Sequence, residues 1–201
     1  MGKVDDNKKQ KMNTLLQTAF DLFTGKGFAK TTVSDIVNQA GLAKGTFYLY
    51  FKDKYDLRDK LIAHKACQLF DDAHKQLEGT EINSLEEEIL FLTDYIIDRF
   101  QKQQPLLKFL SKNLSWGVFQ DAVGTGSVVS RQFYDHYRNS LVKYNVNCEN
   151  PDLLLFTLIE LISSTSYNCI LHEKPVSMEE YKPYLHKSLK KVYEVFVSVQ
   201  D

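Results

Sequence analysis

The sequence predicts an all-α protein, with a three-helix head at the N-terminus and a C-terminal helical bundle, about nine helices in all. Three observations carry this. Apolar residues recur at intervals of three and four, and no stretch alternates as a half-buried strand would. The four prolines, Pro105, Pro151, Pro175 and Pro183, read as punctuation at element starts. Pairs such as Thr32 with Asp35, Ser84 with Glu87 and Ser177 with Glu180 have the spacing of helix N-terminal caps.

Residues 1–10 are polar, with Lys3, Lys8 and Lys9, and read as a loose arm. From Met12 a first helix begins, with Leu15, Leu16, Ala19, Phe20 and Phe23 on one face; Gly25 and Gly27 end it. Thr32 caps a second helix whose apolar stripe is Val33, Ile36, Val37 and Ala40. Gly41 stops it, since glycine enters the left-handed region without steric cost.

A third helix spans about Lys44 to Phe51, and its Phe47 and Phe51 share an inward face. Its outward groups are Lys44, Gly45, Thr46, Tyr48, Leu49 and Tyr50. A short surface helix with only a structural role would carry Glu, Lys and Gln instead. Lysine and hydroxyl groups hydrogen-bond phosphates, Gly45 admits a close backbone approach, and Leu49 suits a thymine methyl. Lys52 and Lys54 follow at the next helix start, and Thr32 and Ser34 flank the start of the second helix. Together these groups form a helix-turn-helix dressed for the major groove of double-stranded DNA.

The run Ala40-Gly41-Leu42-Ala43-Lys44-Gly45-Thr46-Phe47-Tyr48-Leu49-Tyr50-Phe51-Lys52-Asp53-Lys54 closely resembles the DNA-binding signature of tetracycline-repressor-type (TetR family) regulators. So does Gly27-Phe28 followed by Thr31-Thr32, and the resemblance runs from about Met12 to Leu61. Ala43 departs from it, standing where the family usually has a capping Ser or Thr. The resemblance implies a helix-turn-helix DNA-binding domain over residues 1–58 and a helical ligand-binding and dimerisation domain over 59–201.

Asp53 caps a long helix that runs to about Leu77 and is stopped by Gly79. Its first turn belongs to the head and its last turns to the body, so it reads as a shared lever. Leu85, Ile89, Leu92, Ile96 and Phe100 mark the next helix, ending near Pro105. Leu106, Leu107, Phe109, Leu110, Leu114 and Trp116 mark another, broken around Gly117 to Gly126, a stretch that reads as a mobile flap. Helical spacing resumes from Val128 to Tyr144.

The helix from Asp152 to His172 is apolar nearly all round and must be covered on both sides. The final helix, capped by Ser177, carries Tyr181, Leu185, Leu189, Val192, Tyr193 and Phe196. A symmetric four-helix interface between two copies satisfies both, with Leu158, Ile159, Ile162, Val192, Tyr193 and Phe196 as its expected contacts. The resemblance implies dimerisation at the same place.

Aromatic residues crowd the body beyond what a compact bundle requires. Phe70, Phe91, Tyr95, Phe109, Trp116, Phe133, Tyr137 and Tyr167 are the expected lining of an effector pocket, which the resemblance also implies.

Residues 1–60 hold 11 Lys/Arg against 7 Asp, and the remainder 14 against 19, so a basic head precedes an acidic body. The acidic body tilts the expected effector towards a neutral or cationic lipophilic molecule. Cys67, Cys148 and Cys169 are widely spaced and suit a cytoplasmic location; no apolar run reaches membrane-spanning length. His64 with Cys67 and Cys169 with His172 have i, i+3 spacing, which arises easily by chance, and no metal or other cofactor is expected. Enzyme motifs such as HExxH, GxSxG or a phosphate-binding glycine loop do not occur.

The reading that joins these features is a homodimeric, ligand-responsive regulator of transcription, a repressor that releases its operator when a small lipophilic molecule binds the body. The alternative is an all-helical interaction or adaptor protein that keeps the fold without binding an operator.

Overall fold

The computed structural model describes residues 3–77, 79–113 and 128–197. Among these there are nine helices and no strand, with one isolated bridge between Cys148 and Val197. The expected breaks at Trp116 and Gly117 to Gly126 lie outside the described residues. The chain divides into two compact units, Met1–His64 and Lys65–Asp201.

In the first unit, α1 (Lys3–Gly25) begins far earlier than the loose arm expected of residues 1–10. Neither glycine nor proline interrupts residues 3–24, and Asp6 near the positive helix end favours continued winding. α2 (Val33–Gln39) starts with the expected box: Asp35 N–H donates to Thr32 Oγ1 at 3.1 Å and Thr32 N–H to Asp35 Oδ2 at 2.8 Å. A bond from Lys26 Nζ, followed by those from Thr32, lowers the Asp35 carboxyl pKa to about 2. At the far end, Gly41 takes φ +65°. Leu42 N–H then reaches Val37 O at 2.9 Å and Gly41 N–H reaches Asn38 O at 3.2 Å, closing the helix end. α3 (Lys44–Tyr48) is one short helix whose last turn continues to Phe51 through i→i−3 bonds from Leu49 and Tyr50 and an i→i−4 bond from Phe51 N–H to Phe47 O at 3.0 Å. Phe47 and Phe51 are buried with Leu15, Ile36 and Leu57.

α4 (Lys54–Leu77) crosses the division between the units. Asp53 Oδ1 caps it, accepting from Tyr55 and Asp56 N–H at 2.7 and 2.9 Å.

In the second unit follow α5 (Leu85–Lys102), α6 (Gln104–Asn113), α7 (Val128–Lys143), α8 (Pro151–His172) and α9 (Met178–Phe196). Pro183 sits inside α9 rather than at its start. One core cluster joins α5, α8 and α9 through Ile97, Leu154, Leu158, Leu185 and Leu189. A second joins α5, α7 and α8 through Leu85, Tyr137, Leu141 and Leu155. Asp94 of α5 clasps α9 by accepting from His186 and Lys182 at 2.7 and 3.0 Å; such half-exposed pairs orient more than they stabilise.

α8 has 22 residues, and an 18-residue window of it has a mean hydropathy of 1.4, so by length and composition alone it is long and apolar enough to cross a membrane, as the core helix of a soluble protein also can be. Here Leu154, Leu158 and Cys169 bury one side of it against α9.

Of the six residues expected to meet a second subunit, Leu158 is buried and the other five are half-buried in the single chain. Leu158 is buried in the core, Ile159 and Ile162 line a partly open cavity, and Val192, Tyr193 and Phe196 pack on the core cluster. The sides of α8 and α9 left open carry Leu153, Ser164, Tyr184 and Val195 instead.

Candidate nucleic-acid interface and body cavity

The outer side of α3 is assembled by what its inner side must bury. Phe47 is fully covered and stacks edge-on with Tyr48, ring centroids 5.3 Å apart. Burying Phe47 and Phe51 turns the intervening groups outward. Tyr48 is 54% exposed and Leu49 77% exposed. Lys44 and Gly45 are also exposed, whereas Thr46 and Tyr50 are half-buried. Thr32 and Ser34 are exposed at the start of α2, where Thr32 Oγ1 already accepts the cap bond.

Lys54 behaves differently from the expectation of a phosphate contact. Its ammonium donates to Phe28 O and Thr31 O at 2.9 and 2.8 Å and lies over the Phe28 ring, 4.3 Å from the centroid. Two of its three donors are therefore committed to holding α4 against the turn before α2. Lys52 remains exposed beside α3, and so does Lys30 just before the Thr31-Thr32 pair. Lys30 was not singled out from sequence; its signal was only its adjacency to a helix start.

Two positions on α3 lack what the head alone would favour. Ala43 holds the cap position with extended backbone, φ −73° and ψ 146°, and provides no side-chain bond. Ala43→Ser is expected to stabilise the protein by about 1 kcal/mol, read as a raised urea midpoint, because the added hydroxyl can accept from Gly45 N–H at the second helical position, Thr46 N–H already donating to Ala43 O at 2.9 Å. An unchanged midpoint would show that the end of α3 gains nothing from a cap.

At Gly45, an added Cβ would meet no atom within 4 Å, and its φ is not positive. Nothing within the head requires glycine there. Gly45→Ala should therefore stabilise the free protein by about 0.5–1 kcal/mol yet weaken DNA binding, because the methyl fills space a phosphate backbone approaches. Effects of the same sign in denaturation and in DNA titration would count against close approach at this position.

The second unit holds a partly open cavity of ≈ 110 Å³. Leu85, Glu88, Ile89, Leu92, Thr93, Ile96 and Phe100 of α5 form one wall, faced by Leu155, Leu158, Ile159 and Ile162 of α8. Phe70 and Tyr137 line it as expected. The Tyr137 hydroxyl donates to Pro151 O at 2.7 Å, and burial pushes its pKa well above the usual phenol range.

Phe91, Tyr95, Phe109 and Tyr167 do not line it. Positions 91 and 95 fall about 160° and about 120° from Ile89 around α5, because each residue turns the helix by about 100°. Trp116 and the Phe133 side chain lie outside the described residues. Glu88 was missed as a lining residue because it sits in an acidic run typical of a helix start. Its position, three after Leu85 on the apolar stripe, was the available signal. Among the described residues no group of three or more His, Cys, Asp or Glu is placed to hold a metal ion.

Residues 15–61 match the family of bacterial regulatory proteins called tetR. Over 187 residues the chain is 26% identical to YvdT, an uncharacterised HTH-type transcriptional regulator of Bacillus subtilis (strain 168), covering 90% of this chain and 94% of that one. It is 28% identical over 120 residues to a protein of Escherichia coli (strain K12) named for repression of the acrEF/envCD operon, covering 55% and 54%. Its fold is similar to that of the transcriptional regulator FadR from Bacillus subtilis, solved in complex with stearoyl-CoA. That similarity has a TM-score of 0.59 and 16% identity, covering 88% of this chain and 96% of that one.

Proposed function

We infer, from the premise that this chain is a TetR-family transcriptional regulator, that it is a repressor which leaves its operator when a small lipophilic molecule occupies the body cavity. The observation that carries the reading is α3: a helix only five residues long that exposes Tyr48, Leu49, Lys44 and a bare Gly45 while burying Phe47 beneath them. That face fits base edges and phosphates and has no use inside the head. We assign DNA contact to Thr32, Ser34, Lys44, Gly45, Thr46, Tyr48, Leu49 and Tyr50, within a DNA-binding domain over residues 1–58. Lys54 acts as a brace for that domain.

Residues 59–201 form the effector and dimerisation domain in this reading. Effector binding biases one conformation of the body, and α4, shared by both units, carries the bias. Only a molecule with unequal affinity for the two conformations can do this. Two copies associate through the open sides of α8 and α9, because one head spans too few base pairs for useful specificity. The protein acts in the cytoplasm, where the chromosome is, and carries out no catalytic step. Capturing and sequencing genomic fragments with the purified protein tests the reading. A reproducible site with two-fold symmetry is the expected result, and fragments with no common sequence would favour the adaptor alternative.

A further inference from the structure

Glu88 is 4% exposed and forms part of the cavity wall. Ser140 Oγ donates to its Oε1 at 2.6 Å. That partner is neutral. Among the described residues no Lys, Arg or His nitrogen lies within ion-pairing distance of Glu88. Lys143 instead donates to the Tyr144 hydroxyl at 2.7 Å. His74, also in the wall, has its pKa lowered by burial and next by His136, whose ring stacks on it at 4.6 Å. Among the described residues the wall thus presents a buried acid whose direct hydrogen-bond partner is neutral, with the positive groups His74 and Lys143 acting on it only through space.

The remainder of the wall is mostly hydrocarbon. The lining positions of α5 run from Leu85 to Phe100, ~22 Å at the helical rise per residue. Glu88 lies near one end of that track. Ser111 of α6 also lines the cavity, with a buried hydroxyl that has no hydrogen-bond partner among the described residues.

We propose that this cavity takes a lipophilic cation, an ammonium head seated against Glu88 with its hydrocarbon part along the α5 and α8 walls. The assignment rests on reading the body as an effector domain and names the chemical class of its effector. A cationic guest can form an ion pair with an acid whose direct partner is neutral, whereas a carboxylate guest sets like charge beside like. The fold is shared with a regulator solved with stearoyl-CoA, an anionic acyl thioester, but the acidic wall here selects the opposite sign.

The test compares dodecyltrimethylammonium, dodecanol and dodecanoate, each at micromolar concentration, by calorimetric titration of the full-length protein. The ammonium should bind tighter than the alcohol by at least about tenfold, with dodecanoate weakest. Glu88→Gln, which keeps an acceptor for Ser140, should bring the ammonium level with the alcohol and leave dodecanol binding unchanged. Dodecanoate binding as well as the ammonium, an ammonium preference that survives Glu88→Gln, or no binding of any of the three would each overturn the assignment. Should Glu88→Gln fail to fold, the headgroup order on the unaltered protein decides.

Operator release, measured in parallel, separates the two levels of inference. Cation binding that depends on Glu88 but releases no operator upholds the cavity assignment and removes the effector reading. Release driven by dodecanoate through the cavity upholds the effector reading and overturns the cation.

Discussion

Tyr48→Ala is expected to weaken operator binding at least about tenfold, and Lys44→Ala to do the same, with unfolding midpoints close to the unaltered protein. Both side chains are exposed on α3 and neither fills the core beneath it. A lost base or phosphate contact of this kind is worth about 1–3 kcal/mol, or roughly 10–100-fold in affinity. The two losses should differ in kind. Lys44→Ala removes a phosphate charge and should flatten the dependence of binding on salt; Tyr48→Ala should leave the salt slope unchanged. Fluorescence anisotropy across a salt series reads both. Binding by both variants at native strength would mean that α3 is not the element that enters the groove.

The second large effect concerns association. Ser164→Glu combined with Tyr184→Glu is expected to convert a dimer into a folded monomer and to lower operator affinity by about 100-fold or more. Both positions are solvent-exposed in the single chain, Tyr184 at 64%, so the new charges are hydrated there and the fold tolerates them. An interface would bury them without partners, which disfavours association. Glutamate at Val192 or Phe196 is a poorer probe, because both pack on the chain's own core and a charge there would unfold the body first. Analytical ultracentrifugation and operator titration on the same samples decide the point. A dimer that persists in the double variant would move the interface elsewhere, and a monomeric unaltered protein would remove the half-site argument.

Much of the head was legible because its determinants are local. A capping box spans four residues, a glycine helix stop acts on its own φ, and Phe47 with Phe51 share a face by helical geometry alone. Such signals survive without knowledge of what packs where. The exception was Lys54: its charge was legible, but not that Phe28 O and Thr31 O, more than twenty residues earlier, would claim its ammonium.

In the body the sequence by itself determined helix positions, caps and the excess of aromatic residues. Only the tertiary structure decided which sides of those helices face a cavity, a core or solvent. α8 is apolar nearly all round, so its periodicity does not mark a preferred face, and Ile159 and Ile162 read equally well as interface or interior. Glu88 carries the converse lesson, since an acid in a helix's first turn looks solvated until Ser140, fifty-two residues later, closes over it. Local chemistry writes the ends of helices, but the burial of a face is settled by partners distant in sequence, whose identity no periodicity encodes.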